Sequence, residues 1–390
     1  MKKLNDLYLR LCMTALFSKV TKKPVFSHFE NIVRCGVREE KIKAYAAFVG
    51  EIYNSRLSLS GLIKKYVFED ENVYIKSAAH DFDVSAAVVS AMKSELSALS
   101  EFASLKAEDF ARALELDSML PFDSEDTNIY EEYMERVRNV NRYGYGIFSA
   151  SPMFRLADSG IIEPIMSADK TTVDKFVGYK EEREAVLKNT EAFVLGRPAA
   201  NTLLCGDAGT GKSSTVKAIA NLFFDRGIRL IELRKDQLKM LPEVMGKVSE
   251  NPLKFIIFID DLAFNKSDDN FSMLKAALEG SASAKADNAV IYATSNRRHI
   301  IKESFSDRDG DDVHRNDSMQ ETLSLSERFG LVVSFTKPNK QLYLEIVHTL
   351  AKRFEIDIPA AELDVRAEAF ALKKGSRSAR CAEQFIDSLL

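Results

Sequence analysis

Residues 201–215 read NTLLCGDAGTGKSST, and the fold turns on this stretch. Gly206 is followed, after four residues, by Gly211-Lys212-Ser213. That spacing is a phosphate-binding P-loop. Polyphosphate needs many donors converging on a small volume, and glycines let the backbone fold tightly enough for successive N–H groups to point inward. The candidate cradle is Gly206, Asp207, Ala208, Gly209, Thr210 and Gly211, continuing into Lys212, Ser213 and Ser214. Lys212 is suited to reach the β- and γ-phosphates, and the Ser213 hydroxyl to hold Mg²⁺. Such a loop must follow a buried strand and open a helix, whose N-terminus adds its own positive end. Both neighbours are present. Thr202 to Cys205 is a short apolar run, Val216, Ile219, Ala220 and Phe223 follow at helical spacing, and Gly227 sits where the helix should stop.

Downstream, Ile228 to Leu233 reads as a strand. Phe255-Ile256-Ile257-Phe258-Ile259 then places five apolar residues in a row, the mark of a strand covered on both faces of a parallel sheet. It ends in Asp260-Asp261, at the strand edge where α/β sheets bind ligands. Asp260 fits the role of holding Mg²⁺ through water, and Asp261 is placed to polarise an attacking water. A helix carrying Phe271, Leu274, Ala277 and Leu278 comes next. Ala289 to Thr294 is another buried strand, ending in Ser295-Asn296-Arg297-Arg298. An amide such as Asn296 can orient water between the acids and the γ-phosphate without adding charge. The last strand is Leu331 to Phe335, after Ser326-Glu327-Arg328-Phe329-Gly330. Helices follow from Lys337, at Leu342 to Phe354, Ala360 to Leu372 and Ser376 to Leu390.

Upstream of the P-loop strand, Phe176, Val177 and Tyr179 lead into a helix with Ala185, Val186, Phe193 and Val194 as its apolar stripe. These three residues suit an adenine pocket and suit a plain core equally well. Residues 1–150 read as mostly helical. Val88, Met92, Leu96 and Leu99 recur at helical steps with Asp83 as an N-cap, and Tyr130, Met134, Val137 and Val140 do the same. Arg142 to Phe154, RYGYGIFSASPMF, suits a loop or a short hairpin, and Pro152 and Pro164 continue the irregular stretch.

Composition bounds the rest. A chain of 390 residues with 46% apolar and 29% charged residues has length for two or three domains and the profile of an ordinary globular protein. A net charge of −4 argues against a chain that binds nucleic acid as a whole. Arg234-Lys235 and Arg297-Arg298-His299 are the basic clusters that suggest a nucleic-acid grip, and ordinary surface charge accounts for both. Asp6 and Arg10 interrupt the apolar stretch at the N-terminus, so it reads as an amphipathic helix rather than a signal peptide. No run approaches bilayer length. Cys12, Cys35, Cys205 and Cys381 are scattered, which suits reduced thiols in a cytoplasm. Residues 303–320 read as a long exposed loop, and Asp309-Gly310-Asp311-Asp312 lacks the rest of a calcium loop.

Taken together, the strands resemble an AAA+ ATPase: an α/β P-loop NTPase with a central parallel five-stranded sheet, a C-terminal helical lid and a mostly helical N-terminal domain. More closely, the sequence is similar to the bacterial P-loop family called domain of unknown function 815. The resemblance rests on LLCGDAGTGKSSTVKA, IRLIEL, FIIFIDDLAF, LKAALEG, IYATSNRRH and LSLSERFG, and runs from about Tyr143 to the C-terminus. It covers the first 140 residues only loosely and sets domains at 172–336 and 337–390, beside a helical 1–141 and a junction at 142–171. It further implies that Lys212 and Ser213 are the Walker A pair, Asp260 the Walker B metal residue and Asn296 sensor 1. Arg328 corresponds to the arginine finger that acts on a neighbouring subunit's nucleotide, and Arg377 to the lid's sensor 2, with Arg380 as the alternative. The expectation is an ATP- and Mg²⁺-dependent ATPase that assembles as a homo-oligomer and remodels a partner recruited by its N-terminal domain.

Two departures matter. Most AAA+ ATPases carry Asp-Glu at Walker B, whereas this chain has Asp260-Asp261, one methylene shorter; the resemblance to family 815 implies Asp-Asp there, so hydrolysis is still expected, at a slow rate. Residues 234–241 lack the aromatic-apolar-Gly pore loop of protein-threading rings. The alternatives are a nucleotide switch or adaptor with little hydrolysis, and a helicase-loader-like protein that grips single-stranded nucleic acid.

Overall fold

The computed structural model describes residues 1–166, 171–262, 269–279, 286–296 and 328–390. They form two compact units, Met1–Ala150 and Ser151–Leu390.

The first unit is helical. Its opening helix, Lys2–Cys12, buries Leu4, Leu7 and Leu11 on one face, the amphipathic pattern expected of it. Aromatic rings fill the centre, with Phe26 stacked on Phe102 at 4.5 Å and Phe29 edge-on to Phe102 at 4.9 Å. One buried acid has a structural task. The Glu95 carboxylate accepts the backbone N–H groups of Ala15, Leu16 and Phe17 at 2.9, 3.2 and 3.0 Å. Three charge-assisted bonds offset the desolvation of one carboxylate and fix the turn after the first helix. Two sequence expectations are corrected. Ser85, not Asp83, caps the helix Ala86–Ala103, because its hydroxyl is the group that meets the Val88 amide. Val140 does not continue the helix Ile129–Arg138, since the chain breaks at Asn139 and restarts as a single turn, Val140–Tyr143.

The second unit is built on a sheet. Its strands are β1 (Met153–Leu156), β2 (Ile162–Pro164), β3 (Thr202–Gly206), β4 (Ile228–Leu233), β5 (Lys254–Ile259), β6 (Ala289–Ser295) and β7 (Leu331–Phe335). Among the described residues the order is β2-β1-β4-β5-β6-β3-β7. All pairings are parallel except β1 with β2. The sheet therefore has seven strands, not the five expected. The two extra strands are four and three residues long, too short to show a period, and β2 and most of β1 lie in the stretch around Pro152 and Pro164 that reads as irregular. Pro164 is tolerated because β2 is an edge.

The five remaining strands take the order of an AAA+ P-loop ATPase, with β3 between β6 and β7. Every residue of β3 is buried, as are the last five of β5, because helices cover both faces. Val216, Ile219 and Ala220 of the helix Lys212–Leu222, and Phe223 that caps it, pack with Leu204, Ile256, Phe258 and Tyr292. A polar tie fixes the level of β3 against β6. The Asn189 amide donates to Ala200 O, Thr202 Oγ1 and Tyr292 Oη and accepts from Ala200 N, while Thr190 Oγ1 lies 2.7 Å from Tyr292 Oη.

A helical lid ends the chain, with helices Lys340–Arg353, Ala360–Lys374 and Ala379–Asp387. Tyr343, Val347, Ala367, Ala382 and Phe385 are at its centre. The last helix begins three residues later than the spacing predicts. Gly375 ends the preceding helix at φ +68°, and Ser378 is the residue whose hydroxyl accepts the Cys381 amide. Among the described residues no helix is long and apolar enough to cross a membrane.

Candidate nucleotide site

Parallel register brings the chemistry to one edge. Gly206 pairs with Phe335, Cys205 with Ser295, and Leu233 with Ile259 at the C-terminal ends of their strands. Asp260 and Asp261 leave β5 at that edge, and Asn296 leaves β6. β6 lies between β5 and β3, so Asn296 sits between the acids and the P-loop.

The loop is wrapped tightly. Gly206 has φ +131°, and a Cβ there would lie 2.0 Å from the Phe335 carbonyl oxygen, so no side chain fits. Gly211, at φ +89°, turns the chain into the helix that starts at Lys212. Thr210 Oγ1 donates to Asp207 O at 2.9 Å and holds the loop closed. Ser214 lies in the first turn of that helix, and Ala208 is exposed at the tip of the loop.

The Lys212 ammonium is folded into the loop. It donates to Gly206 O at 3.0 Å, Asp207 O at 2.7 Å and Asn296 Oδ1 at 3.0 Å. Burial pushes its pKa down, against the pull of Asp207, Asp260 and Asp261. Asn296 Nδ2 donates in turn to Asp261 Oδ1 at 2.7 Å. The orientation of the amide follows from its partners, because an ammonium only donates and a carboxylate only accepts. Lys212, Asn296 and Asp261 thus form one chain of bonds. A second chain runs beside it. Ser213 Oγ donates to Asp260 Oδ1 at 2.6 Å, Thr294 Oγ1 donates to the same oxygen at 2.5 Å, and the Asp261 amide donates to Thr294 Oγ1 at 2.9 Å. Asp261 takes a left-handed φ of +53°. Sequence reasoning missed Thr294. Its one available signal was its position, the last residue but one of a strand ending at this edge.

The lid closes on the loop. The Lys337 amide donates to Asp207 Oδ2 at 2.8 Å, and the Arg380 amide donates to Gly209 O at 3.2 Å. A Cβ on Gly209 would meet Ser378 Oγ at 3.0 Å and Arg380 Cβ at 3.2 Å. Arg380 is therefore the lid arginine that touches the loop. Arg377 is turned to Glu368, donating from Nε and Nη2 at 3.0 and 2.8 Å.

The adenine-pocket candidates lie next to β7 and the lid. Tyr179 is buried in the core beside Phe335, and its hydroxyl donates to Thr336 O at 2.6 Å. Val177 is half-buried against the lid core. Arg328 lies three residues before Leu331, which pairs with Thr202 at the opposite end of β3 from the loop. Arg234 is paired with Asp158 and Asp236, so the basic cluster there is neutralised. Arg297, Arg298, His299, residues 303–320 and Ser326-Glu327 lie outside the described residues, as does the Phe271 side chain.

The donor set suits Mg²⁺ and a polyphosphate. Ser213 Oγ and Asp260 Oδ1 are hard oxygens within hydrogen-bond distance of each other, at the mouth of a glycine-turned loop with a buried lysine.

A family model described as "Protein of unknown function (DUF815)" matches residues 149–390. No curated protein matches the sequence. Among solved structures, the Thermotoga maritima RuvB Holliday junction branch migration motor is 12% identical, with a TM-score of 0.35 over 56% of this chain and 71% of that one. A proline-to-glycine variant of Thermotoga maritima RuvB is 13% identical, with a TM-score of 0.36 over 56% and 72% of the two chains. At that level of likeness the fold assignment rests on the strand order and the family match.

Proposed function

The chain belongs to the DUF815 family, and on that premise we propose that it is a Mg²⁺-dependent AAA+ ATPase that remodels a partner. One observation carries this reading. The P-loop lysine, the strand-end amide and the strand-end acid are joined by hydrogen bonds, Lys212 to Asn296 to Asp261, at the edge where the Ser213 hydroxyl meets Asp260. A structural lysine needs no such company.

Each residue has a role in this reading. When bound, Mg²⁺–ATP would supply the scissile phosphoanhydride and a cation that offsets the charge on its phosphates. Ser213 and Asp260 hold that cation as the Walker A hydroxyl and the Walker B acid. Lys212 and the loop amides from Asp207 to Ser213 bind the phosphates and offset charge that develops on them. Asp261 accepts a proton from water, and Asn296 keeps acid and water aligned. Arg328 lies too far from its own loop to serve it, so it acts as the finger on a neighbour's nucleotide in a homo-oligomer. The lid senses the nucleotide through Arg380, whose backbone already holds Gly209. Arg377 supports it through Glu368. Free thiols at all four cysteines support a reducing, cytoplasmic setting. The helical N-terminal unit recruits the partner.

The test is phosphate release by the full-length chain with saturating Mg²⁺–ATP, beside Lys212→Ala. We expect turnover in the wild type and none in the variant. Equal turnover in both refutes the site. The switch reading draws on the Asp261 carboxylate being bonded to Asn296, which restrains it as a base. Tight nucleotide binding with no steady-state release would favour it.

A further inference from the structure

Thr294 makes bonds that neither a P-loop nor a metal site requires of a strand residue. It is buried, and its backbone and side chain together hold three consecutive residues of the neighbouring strand end. Its hydroxyl donates to Asp260 Oδ1 at 2.5 Å and accepts the Asp261 amide at 2.9 Å, and its carbonyl accepts the Leu262 amide at 2.7 Å. The directions are fixed by chemistry, since the carboxylate can only accept and the amide can only donate.

We propose that Thr294 is the positioning residue that lets a short acid serve this site. It does so by holding Asp260 for the cation and turning the backbone at Asp261 so that its carboxylate reaches Asn296. The inference rests on the ATPase reading for its purpose, and on hydrogen bonds alone for its geometry.

Two features carry it. First, Asp261 sits at φ +53°, a left-handed conformation that a residue with a side chain adopts at a cost unless its surroundings hold it there. What holds it is the pair of bonds from Asp261 N–H and Leu262 N–H to the two oxygens of Thr294. The turn compensates for the missing methylene, because the Asp261 carboxylate lies 2.7 Å from Asn296 Nδ2. Second, Asp260 Oδ1 accepts two hydroxyls, Ser213 and Thr294. A hydroxyl binds a cation through a lone pair, so Ser213 could take one and still donate to Asp260, and Thr294 supplies the second donor that keeps the carboxylate in place. Valine at 294 fills the same volume and supplies neither bond, and serine restores both.

The experiment uses the full-length chain with Thr294→Val and Thr294→Ser, and has two readouts. The first is hydrogen exchange of the Asp261 amide in the nucleotide-free protein, which does not depend on activity. Valine should speed it about 10-fold or more, and serine should return it to within about 3-fold of wild type. The second is steady-state ATP turnover. Valine should lower kcat about 10- to 100-fold with KM within about 3-fold, and serine should rescue it. An Asp261 amide that exchanges no faster in the valine variant overturns the proposal. So does a serine variant as impaired as valine. If Thr294→Val does not fold, Thr294→Ala removes the hydroxyl without adding volume and gives the same readouts. A wild-type chain without turnover refutes the ATPase reading, while the exchange measurement still decides the role of Thr294.

Discussion

The P-loop backbone can be probed by putting a methyl group where the structure leaves no room. Gly206→Ala is the perturbation. At φ +131° its Cβ would lie 2.0 Å from the Phe335 oxygen and 2.7 Å from its carbonyl carbon. The only relief is for β7 to withdraw. That withdrawal breaks the terminal β3–β7 pairing at Gly206 and Phe335 and the bond from the Asp207 amide to Phe335 O at 3.1 Å. Two lost hydrogen bonds and the backbone strain together come to about 3–5 kcal/mol. For a unit of this size that corresponds to a fall in Tm of roughly 6–20 °C. Gly211→Ala is the control. It too has positive φ, +89°, but a Cβ there meets nothing within 4 Å. It should cost only the conformational term, about 1–2 kcal/mol. The assay is scanning calorimetry of the full-length nucleotide-free chain, following the transition of the second unit. If Gly206→Ala destabilises no more than Gly211→Ala does, then β7 does not clamp the loop and the reasoning fails.

Three further outcomes are expected. Lys212→Met should weaken binding of a fluorescent ATP analogue about 10- to 100-fold, the worth of a charge-assisted contact, and unchanged affinity would refute the placement of its ammonium. Burial holds the Lys212 ammonium below its ordinary 10.5, so the unfolded chain keeps this proton to higher pH than the folded one. Wild-type stability relative to Lys212→Met should therefore rise as pH climbs from the lowered value towards 10.5, and a flat difference in Tm across that window would count against the shift. Arg380→Ala and Arg377→Ala should separate. The first should weaken nucleotide binding, while the second should leave it within about 3-fold, because the Arg377 guanidinium is turned to Glu368. The reverse order in a binding titration would return the lid role to Arg377.

What could be read from the residues was whatever depended on local periodicity. Gly206 to Ser213 names its ligand class because phosphate chemistry fixes both residue type and spacing. The five apolar residues before Asp260 name a doubly covered strand, so the parallel core and the acidic strand end were legible together. The lid arginine was not. Arg377 and Arg380 are three residues apart in a helical stretch. Only the start of the last helix at Ala379, set by the Ser378 cap, decides which one meets Gly209. The short strands β1 and β2 were equally hidden, since they exist by pairing with β4 and with each other rather than by any pattern of their own. Thr294 was hidden for a third reason. Its chemistry comes from register, because Ile259 lies beside Ala293 and the next residue on β6 therefore faces the departing acids. The sequence alone determined the candidate phosphate loop and which strands border it. Only the tertiary structure decided which hydroxyl turns the acid into place, because that depends on contacts between residues 34 positions apart.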